Sequence, residues 1–368
     1  TVEPMAKKEP PSADSALISP LLIPLMIKMN SYVNMNDDEE ELEEEEESTM
    51  PFFDVMNDSN CSKTPYEIKD VTCIDLRGYK NEGIIGRGSQ SNVIKIKSTN
   101  SSQNEEFAAK VRVMEIYLEY KGFDRIKVIT SQLEREVTIL SKCNHPCIVK
   151  LIGYSPIDQR GFLKPTIVMN YYKFSLRERI KEEKNGIHNR NWNKTTKMII
   201  LYGIAHALEY LHSLNIVHRD INLENILLDA NLWPAICDFG LAQNASEPIL
   251  DSSMGNAVYM PKEFLENRVF DKPCDVYSYG VLAYETLSGE LVSVSLNSRT
   301  LDDIFPSFGK IEEPYRTLLK NCIFRDSRNR PTFSEIVREF RENKSYVTKD
   351  INADEFYRFV KFIDNEIH

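Results

Sequence analysis

Two short runs near the middle of the chain constrain its fold and its chemistry most strongly. The first is His218-Arg219-Asp220, followed by Asn225, and the second is Asp238-Phe239-Gly240. Together they place two carboxylates and one amide at the spacing that proteins use to hold a phosphate donor, its magnesium ions and an acceptor hydroxyl. Isolated Asp and Asn residues more often cap turns, but turn capping does not account for the combined spacing.

A glycine-containing turn upstream fits the same chemistry. Gly86 and Gly88 lie in the run from Ile85 to Val93, and glycine allows backbone N–H groups to approach phosphates closely. Taken alone, this turn fits a plain β-hairpin equally well. Its position ahead of the other motifs favours the phosphate-binding interpretation.

The hydrophobic patterns change character along the chain. Short β-branched or apolar runs at residues 83–85, 93–96 and 107–111 predict antiparallel strands, and a helix is predicted over about residues 131–142. The second half of the chain is mainly helical in pattern. Strands followed by helices predict an α+β fold, here in two lobes with a cleft between them.

The ordered motifs resemble those of a eukaryotic protein kinase. Residues 279–282 and 330–333 are similar to the tyrosine-kinase-like group, whose members mostly phosphorylate serine and threonine. The resemblance covers residues 80 to about 340. It implies the two-lobed kinase fold within a domain over residues 66–344, with a small, mainly β N-lobe to about residue 170 and a larger, mainly α C-lobe after about residue 174.

By this resemblance, Lys110 is the strand lysine that contacts the α- and β-phosphates of ATP, and Glu136 is the carboxylate that aims it. Glu134 competes for that role, but two residues of helix rotate by about 200°, so both cannot face the lysine. The interval between lysine and glutamate is longer than usual in the family. We therefore assign residues 114–130 to a loop insertion.

The resemblance also implies the remaining roles and the ligands ATP and Mg²⁺. Asp220 would accept or orient the proton of the acceptor hydroxyl, while Asn225 and Asp238 would bind magnesium. The residues implied to contact the nucleotide are Ile85, Gly86, Gly88, Val93, Ala108, Lys110, Met169, Asn170, Tyr172 and Leu227. Among them, Met169 would lie at the back of the pocket and residues 170–172 would form the hinge.

Three further features follow from the same resemblance. Arg219 would contribute to a basic pocket for a phosphorylated activation loop, with Ser246, Ser252 and Ser253 as candidate phosphorylation sites. Flexible-loop serines without such a role fit that segment nearly as well. An apolar column is expected to tie the lobes together, formed by Leu140, Leu151, His218 and Phe239. A buried ion pair is expected between Glu263 and Arg330.

Several positions depart from the family pattern. Asn222 replaces the usual lysine, Asn256 the usual threonine, Ser91 the third glycine and Asn170 the usual hinge acid, and residues 261–263 keep only the acid of their motif. None of these changes removes a metal ligand or the phosphate lysine. We therefore expect an active serine/threonine kinase with protein substrates. The alternatives are an ATP-binding pseudokinase and a scaffold that binds partners through an acidic tail.

The acidic residues concentrate in residues 1–65, above all between Asp37 and Glu47, and this segment accounts for the net charge of −11. Such a block repels itself and cannot bury a core, which predicts a disordered extension. The alternative is a docking tail for basic partners. After the kinase domain, residues 345–368 are predicted to form a helical extension that either packs on the large lobe, the alternative we favour, or binds a partner.

Cysteine usage and hydropathy bear on the location. The seven cysteines are odd in number and scattered, which favours reduced thiols. The apolar run from Ala16 to Met29 is interrupted by Pro20 and Pro24 and is shorter than the roughly 20 residues of a membrane span. We expect a cytoplasmic protein with no membrane span and no nucleic-acid partner.

Overall fold

The fold is described by a computed structural model over residues 68–88, 91–99, 105–112, 123–158, 163–247, 256–267, 270–293 and 304–367. The acidic segment 1–65 lies outside these residues. Within them, a β-sheet lobe precedes a mainly helical lobe, which confirms the predicted α+β, two-lobed architecture. None of the helices in the described ranges combines the length and apolarity required to cross a bilayer.

The small lobe is built on a five-stranded antiparallel sheet in the order β1-β2-β3-β5-β4. Its strands are β1 (Tyr79–Arg87), β2 (Ser91–Ser98), β3 (Glu106–Arg112), β4 (Leu151–Ile157) and β5 (Leu163–Asn170). The three strands predicted from the apolar runs lie within β1, β2 and β3. Ile96, Ala109 and Val168 are fully buried together on one side of this sheet.

The helix α1 (Phe123–Ser141) packs with the sheet and begins eight residues earlier than the sequence pattern predicts. The assignment of residues 114–130 to a loop insertion is therefore wrong for residues 123–130. Neither glycine nor proline occurs between Phe123 and Ser141, so nothing in the sequence interrupts the helix at its first turns. Leu133, Val137 and Leu140 bury one face of its second half.

The large lobe surrounds α3, which is buried on nearly every side. Its helices include α2 (Leu176–Lys184), α3 (Lys194–Ser213), α4 (Lys262–Asn267), α5 (Lys272–Ser288), α6 (Tyr315–Ile323), α7 (Phe333–Glu342) and α8 (Ala353–Ile367). Its short strands are β6 (Phe174–Ser175), β7 (Ile216–Val217), β8 (Ile226–Leu228), β9 (Pro234–Ile236) and β10 (Gln243–Asn244). Residues 198–205 of α3 are all buried and almost all apolar, which places this stretch in the core of the lobe.

The C-terminal helix α8 packs on the large lobe, as favoured from its apolar pattern. The ring of Tyr202 on α3 lies 5.4 Å from that of Phe356, and the ring of Trp233 lies 5.0 Å from that of Phe359. Phe356 and Phe359 are both fully buried. The apolar face of α8 is therefore covered by the lobe and is not available to a partner.

The ring of His218 contacts that of Phe239 edge-on, with centroids 4.8 Å apart, in the core between the lobes. Leu140 and Phe239 belong to one apolar core, against which Leu151 packs. The four residues of the predicted column therefore lie in or beside the same core. The predicted ion pair between Glu263 and Arg330 also forms, with Arg330 Nη2 3.2 Å from Glu263 Oε2.

Gly280 on α5 permits the close approach of α6. A Cβ added there would lie 2.7 Å from Cys322 Cβ and 2.8 Å from Ile323 Cγ1. We expect Gly280→Ala to lower the free energy of unfolding by about 1–3 kcal/mol, because overpacking forces the helices apart. Urea unfolding measures the change. Gly309→Ala is the control, since a Cβ there meets nothing within 4 Å. An equal urea unfolding midpoint for both variants would show that α6 can move away from α5 without loss of stability.

Candidate active site

The segment that contains His218, Arg219 and Asp220 lies between β7 and β8, and hydrogen bonds to Asp275 hold its backbone in place. The fully buried Asp275 accepts the backbone N–H groups of His218 and Arg219, both at 2.9 Å. Arg219 has φ = 72°, a backbone conformation that a side-chain-bearing residue keeps only when its surroundings impose it. Asp275 at the start of α5 supplies that constraint.

The carboxylate of Asp220 is held at both oxygens by amide groups. Asn225 Nδ2 donates to Asp220 Oδ2 at 2.7 Å and to the Asp220 carbonyl at 2.8 Å. Asn222 Nδ2 donates to Asp220 Oδ1 at 3.0 Å. The spacing in the sequence thus brings Asp220 and Asn225 into direct contact, with the carboxylate fixed in one orientation.

Three charged groups meet where β3, α1 and the segment after β9 come together. Lys110 Nζ lies 2.7 Å from Glu136 Oε1 and 2.6 Å from Asp238 Oδ1. Glu136 is buried, whereas Glu134 is exposed on the opposite side of α1. Of the two candidate glutamates, Glu136 is therefore the one that contacts the lysine.

Arg112 also binds Glu136, which the sequence reasoning missed. Its Nη2 lies 2.6 Å from Glu136 Oε2, and both side chains are almost fully buried. Arg112 follows Lys110 by two residues on β3, and side chains two apart on a strand share a face. That periodicity was the available signal. Glu136 consequently bridges two cations, one on each carboxylate oxygen.

The surroundings shift the protonation of these groups in opposite directions. Burial and the nearby charge of Asp238 raise the pKa of Asp220 to about 6, against the hydrogen bonds from Asn225 and Asn222. Burial alone would raise the pKa of Asp238, but the Lys110 ammonium outweighs it and lowers that pKa to about 2. Burial lowers the pKa of Lys110, yet Asp238 and Glu136 raise it overall. At neutral pH both aspartates are ionised beside an ammonium.

The strand register places several predicted nucleotide contacts side by side. Gly86 pairs with Val93, Val93 pairs with Lys110, and Ala108 pairs with Met169 across β1, β2, β3 and β5. Ala108 and Met169 are buried, and Val93 packs against the core. Because directly paired residues and residues two apart on a strand share a face, these residues lie on the same face of the sheet as Lys110.

The other predicted nucleotide contacts lie on or just after β1 and β5, and on β8. Tyr172 and Leu227 pack partly buried against the core, and Asn170 ends β5. Ile85 is 46% exposed on β1, and the Gly88 N–H donates to the Ser91 carbonyl at 2.8 Å. Residues 89 and 90 of the glycine-containing turn lie outside the described residues.

Arg219 does not present its guanidinium to solvent. The side chain is buried, Nη1 donates to Gln243 Oε1 at 3.0 Å, and the guanidinium lies 5.1 Å from the centre of the Phe270 ring. The predicted basic pocket is thus filled by protein groups at Arg219. Of the candidate phosphorylation sites, Ser246 accepts a hydrogen bond from Asn215, while Ser252 and Ser253 lie outside the described residues.

The donor set suits a hard, oxygen-binding cation. In the part of the chain that the structure describes, no group of three His, Cys, Asp or Glu residues is placed to hold a metal ion by itself. Asp238 offers a carboxylate, and Asn225 offers its carbonyl oxygen because its amide nitrogen donates to Asp220. Mg²⁺ is commonly held by one or two protein oxygens with phosphates and water completing its shell. The residues present therefore fit Mg²⁺ together with a nucleotide.

The bridge between Arg112 and Glu136 leads to a stability prediction. Arg112→Met leaves Glu136 Oε2 buried without this partner, but the Lys110 ammonium still neutralises the carboxylate from its other oxygen. We therefore expect a loss of about 1–3 kcal/mol in the free energy of unfolding, less than for a buried charge left unpaired. Arg112→Lys keeps the charge and is expected to lose less. Urea unfolding of the two variants checks the order, and a wild-type midpoint for Arg112→Met would contradict it.

Comparisons with known proteins agree with this geometry. Residues 79–340 match the family model of the protein kinase domain. An Aurora kinase of Dictyostelium discoideum is 31% identical over 217 residues, which cover 57% of this chain and 53% of that protein. The mouse serine/threonine-protein kinase TNNI3K is 33% identical over 222 residues, covering 56% of this chain and 26% of that protein.

A plant protein gives a similar result. The LRR receptor-like serine/threonine-protein kinase FEI 2 of Arabidopsis thaliana is 33% identical over 237 residues, covering 62% of this chain and 36% of that protein. The matched region thus spans about half the length of the first of these relatives and a smaller share of the other two.

Proposed function

Because this chain belongs to the protein kinase family, we propose that it transfers the γ-phosphoryl group of ATP to serine and threonine hydroxyls of proteins. The observations that support this proposal are the ion pairs of Lys110 with Glu136 and Asp238 and the hydrogen bond from Asn225 to Asp220, with Asp238 close enough to raise the pKa of Asp220. Two of the relatives described above are named as serine/threonine-protein kinases, which supports the choice of acceptor.

Asp220 is the residue proposed to act on the acceptor hydroxyl. Its carboxylate is ionised at neutral pH and its two oxygens are held by Asn222 and Asn225. A carboxylate fixed in this way can accept a hydrogen bond from an incoming hydroxyl and orient its oxygen towards the phosphorus atom.

Lys110, aimed by Glu136, is proposed to bind the α- and β-phosphates. Asn225 and Asp238 would hold Mg²⁺, which when bound neutralises charge on the phosphate oxygens. The nucleotide would lie against Val93, Ala108 and Leu227, with the other predicted contacts around it. Catalysis then depends mainly on positioning and charge neutralisation.

The pseudokinase alternative gains no support from the described contacts. Asn222 and Asn256, the departures closest to the acceptor, make hydrogen bonds to the backbone of the same loops. Neither displaces Lys110, Asp220 or Asp238. We therefore propose an active enzyme.

Binding by the acidic segment 1–65 to basic partners stays a prediction from composition. A cytoplasmic location likewise stays a prediction from the odd and scattered cysteines. Neither rests on a described contact.

Identification of the labelled amino acid tests the acceptor class. The chain would be incubated with γ-labelled ATP, magnesium and a generic basic protein, and the product hydrolysed to free phosphoamino acids. We expect phosphoserine and phosphothreonine. Label on tyrosine alone would overturn the serine/threonine assignment while leaving kinase activity established.

A further inference from the structure

We propose that Asn222 is a positioning residue that orients the Asp220 carboxylate and fixes the turn that carries Asn225. This inference rests on the proposed kinase function and goes beyond it. Kinases of this type usually have lysine at this position, so the amide is a departure whose contacts need their own explanation.

The nitrogen of the Asn222 amide acts on Asp220. It donates to Asp220 Oδ1 at 3.0 Å, while Asn225 Nδ2 donates to Asp220 Oδ2 at 2.7 Å. Each oxygen of the carboxylate therefore receives one amide donor from a different side. A donor on each oxygen fixes the plane of a carboxylate. With a single donor, the carboxylate would remain free to rotate.

The oxygen of the same amide acts on the following turn. Asn222 Oδ1 accepts the backbone N–H groups of Glu224 at 2.8 Å and of Asn225 at 3.1 Å. It thereby caps the 3₁₀ turn Leu223–Asn225. Asn222 thus holds Asp220 at its carboxylate and Asn225 at its backbone N–H. Asn225 in turn donates to Asp220.

The chemistry of an amide suits both tasks at once. Asparagine supplies a donor and an acceptor on one short, rigid group, whereas lysine supplies donors only. Its donor is neutral, so it orients the Asp220 carboxylate without neutralising the charge that attracts the acceptor hydroxyl. The expected result of losing it is poorer alignment in the transition state with little change in ATP binding.

Asn222→Ser separates the two tasks, because serine is a good N-cap but has no amide nitrogen. We expect kcat to fall about tenfold or more and the KM for ATP to change less than about twofold. The unfolding midpoint should stay near that of the wild type. Asn222→Lys, which regains an N–H donor, should recover part of kcat.

Asn193→Ser is the matched control. Asn193 is exposed at the N-cap of α3, where its side chain accepts the Thr196 N–H at 3.0 Å, far from the proposed chemistry along the chain. The same substitution there should leave kcat unchanged. A reduction in both variants would indicate a general effect of cap substitution and would overturn the inference.

Crystal structures of the wild type and Asn222→Ser distinguish failure of this inference from failure of the proposed function. A wild type without phosphoryl transfer would refute the function, and the inference would then be judged on Asp220 alone. A changed side-chain rotamer of Asp220 in Asn222→Ser supports it. An unchanged Asp220 rotamer, or an unchanged kcat where the wild type is active, overturns it.

Discussion

Asp238→Asn is expected to reduce phosphoryl transfer by about 10³-fold or more. Asp238 Oδ1 lies 2.6 Å from Lys110 Nζ, and its carboxylate is the proposed charged ligand of Mg²⁺. An amide keeps the size of the side chain but carries no charge, so the stabilisation of several kcal/mol that a bound metal gives to developing phosphoryl charge is lost. Initial rates with γ-labelled ATP at several magnesium concentrations measure the effect.

A variant in the small lobe controls for the loss of one negative charge. Asp75 forms an exposed pair with Arg77, and Asp75→Asn should keep the wild-type rate. If Asp238→Asn transferred phosphate as fast as Asp75→Asn, the metal-binding role of Asp238 would be untenable. A rate restored by high magnesium would instead indicate weakened binding of the metal.

Arg330→Met is expected to lower the free energy of unfolding by about 3–5 kcal/mol, the range seen when one partner of a buried ion pair is removed. The Arg330 side chain is 4% exposed and that of Glu263 is 20% exposed. Arg330 also donates to the Pro273 carbonyl at 3.0 Å, so its loss leaves a carboxylate and a carbonyl without this partner. Urea unfolding monitored by tryptophan fluorescence measures the change.

An exposed ion pair provides the contrast for Arg330. Lys194 lies 2.9 Å from Asp350, and about half of each side chain is exposed. Lys194→Met should therefore cost no more than about 1 kcal/mol. Equal losses for Arg330→Met and Lys194→Met would show that the pair between Glu263 and Arg330 is hydrated and weak.

The residues that meet in the cleft were predictable because their spacing encodes a local geometry. Asp220 and Asn225 are close in the chain, so the turn between them is enough to bring them into contact. Lys110 and Glu136 lie on different elements. The family resemblance selects Glu136, and the helix rotation of about 200° over two residues means that Glu134 cannot face the lysine as well. The strands β1 to β3 were predictable because each contains a short apolar or β-branched run, at residues 83–85, 93–96 and 107–111.

Other features depend on contacts that no local pattern specifies. The spacing of two residues places Arg112 on the same face of β3 as Lys110, but it does not specify that Arg112 is buried against Glu136. The constraint imposed by Asp275 on the backbone of His218 and Arg219 joins residues more than fifty positions apart. The burial of Arg219 against Gln243 and Phe270 likewise follows from tertiary packing.

The start of α1 illustrates a different limit. The family resemblance identifies residues 114–130 as an insertion and predicts a loop there. The helix instead continues back to Phe123, because the added residues contain no helix breaker after that point. An insertion lengthens the chain without fixing the secondary structure that it adopts.

The measurement that tests the account most directly is γ-phosphoryl transfer by the wild type compared with Asp220→Asn, with ATP binding measured on both. We expect the wild type to transfer phosphate and Asp220→Asn to lose about 10²–10⁴-fold in rate while still binding ATP, because the side chain proposed to act on the hydroxyl is removed without touching the phosphate contacts. A wild-type chain that binds ATP with magnesium but transfers no phosphate, or an Asp220→Asn variant as active as the wild type, would contradict the account.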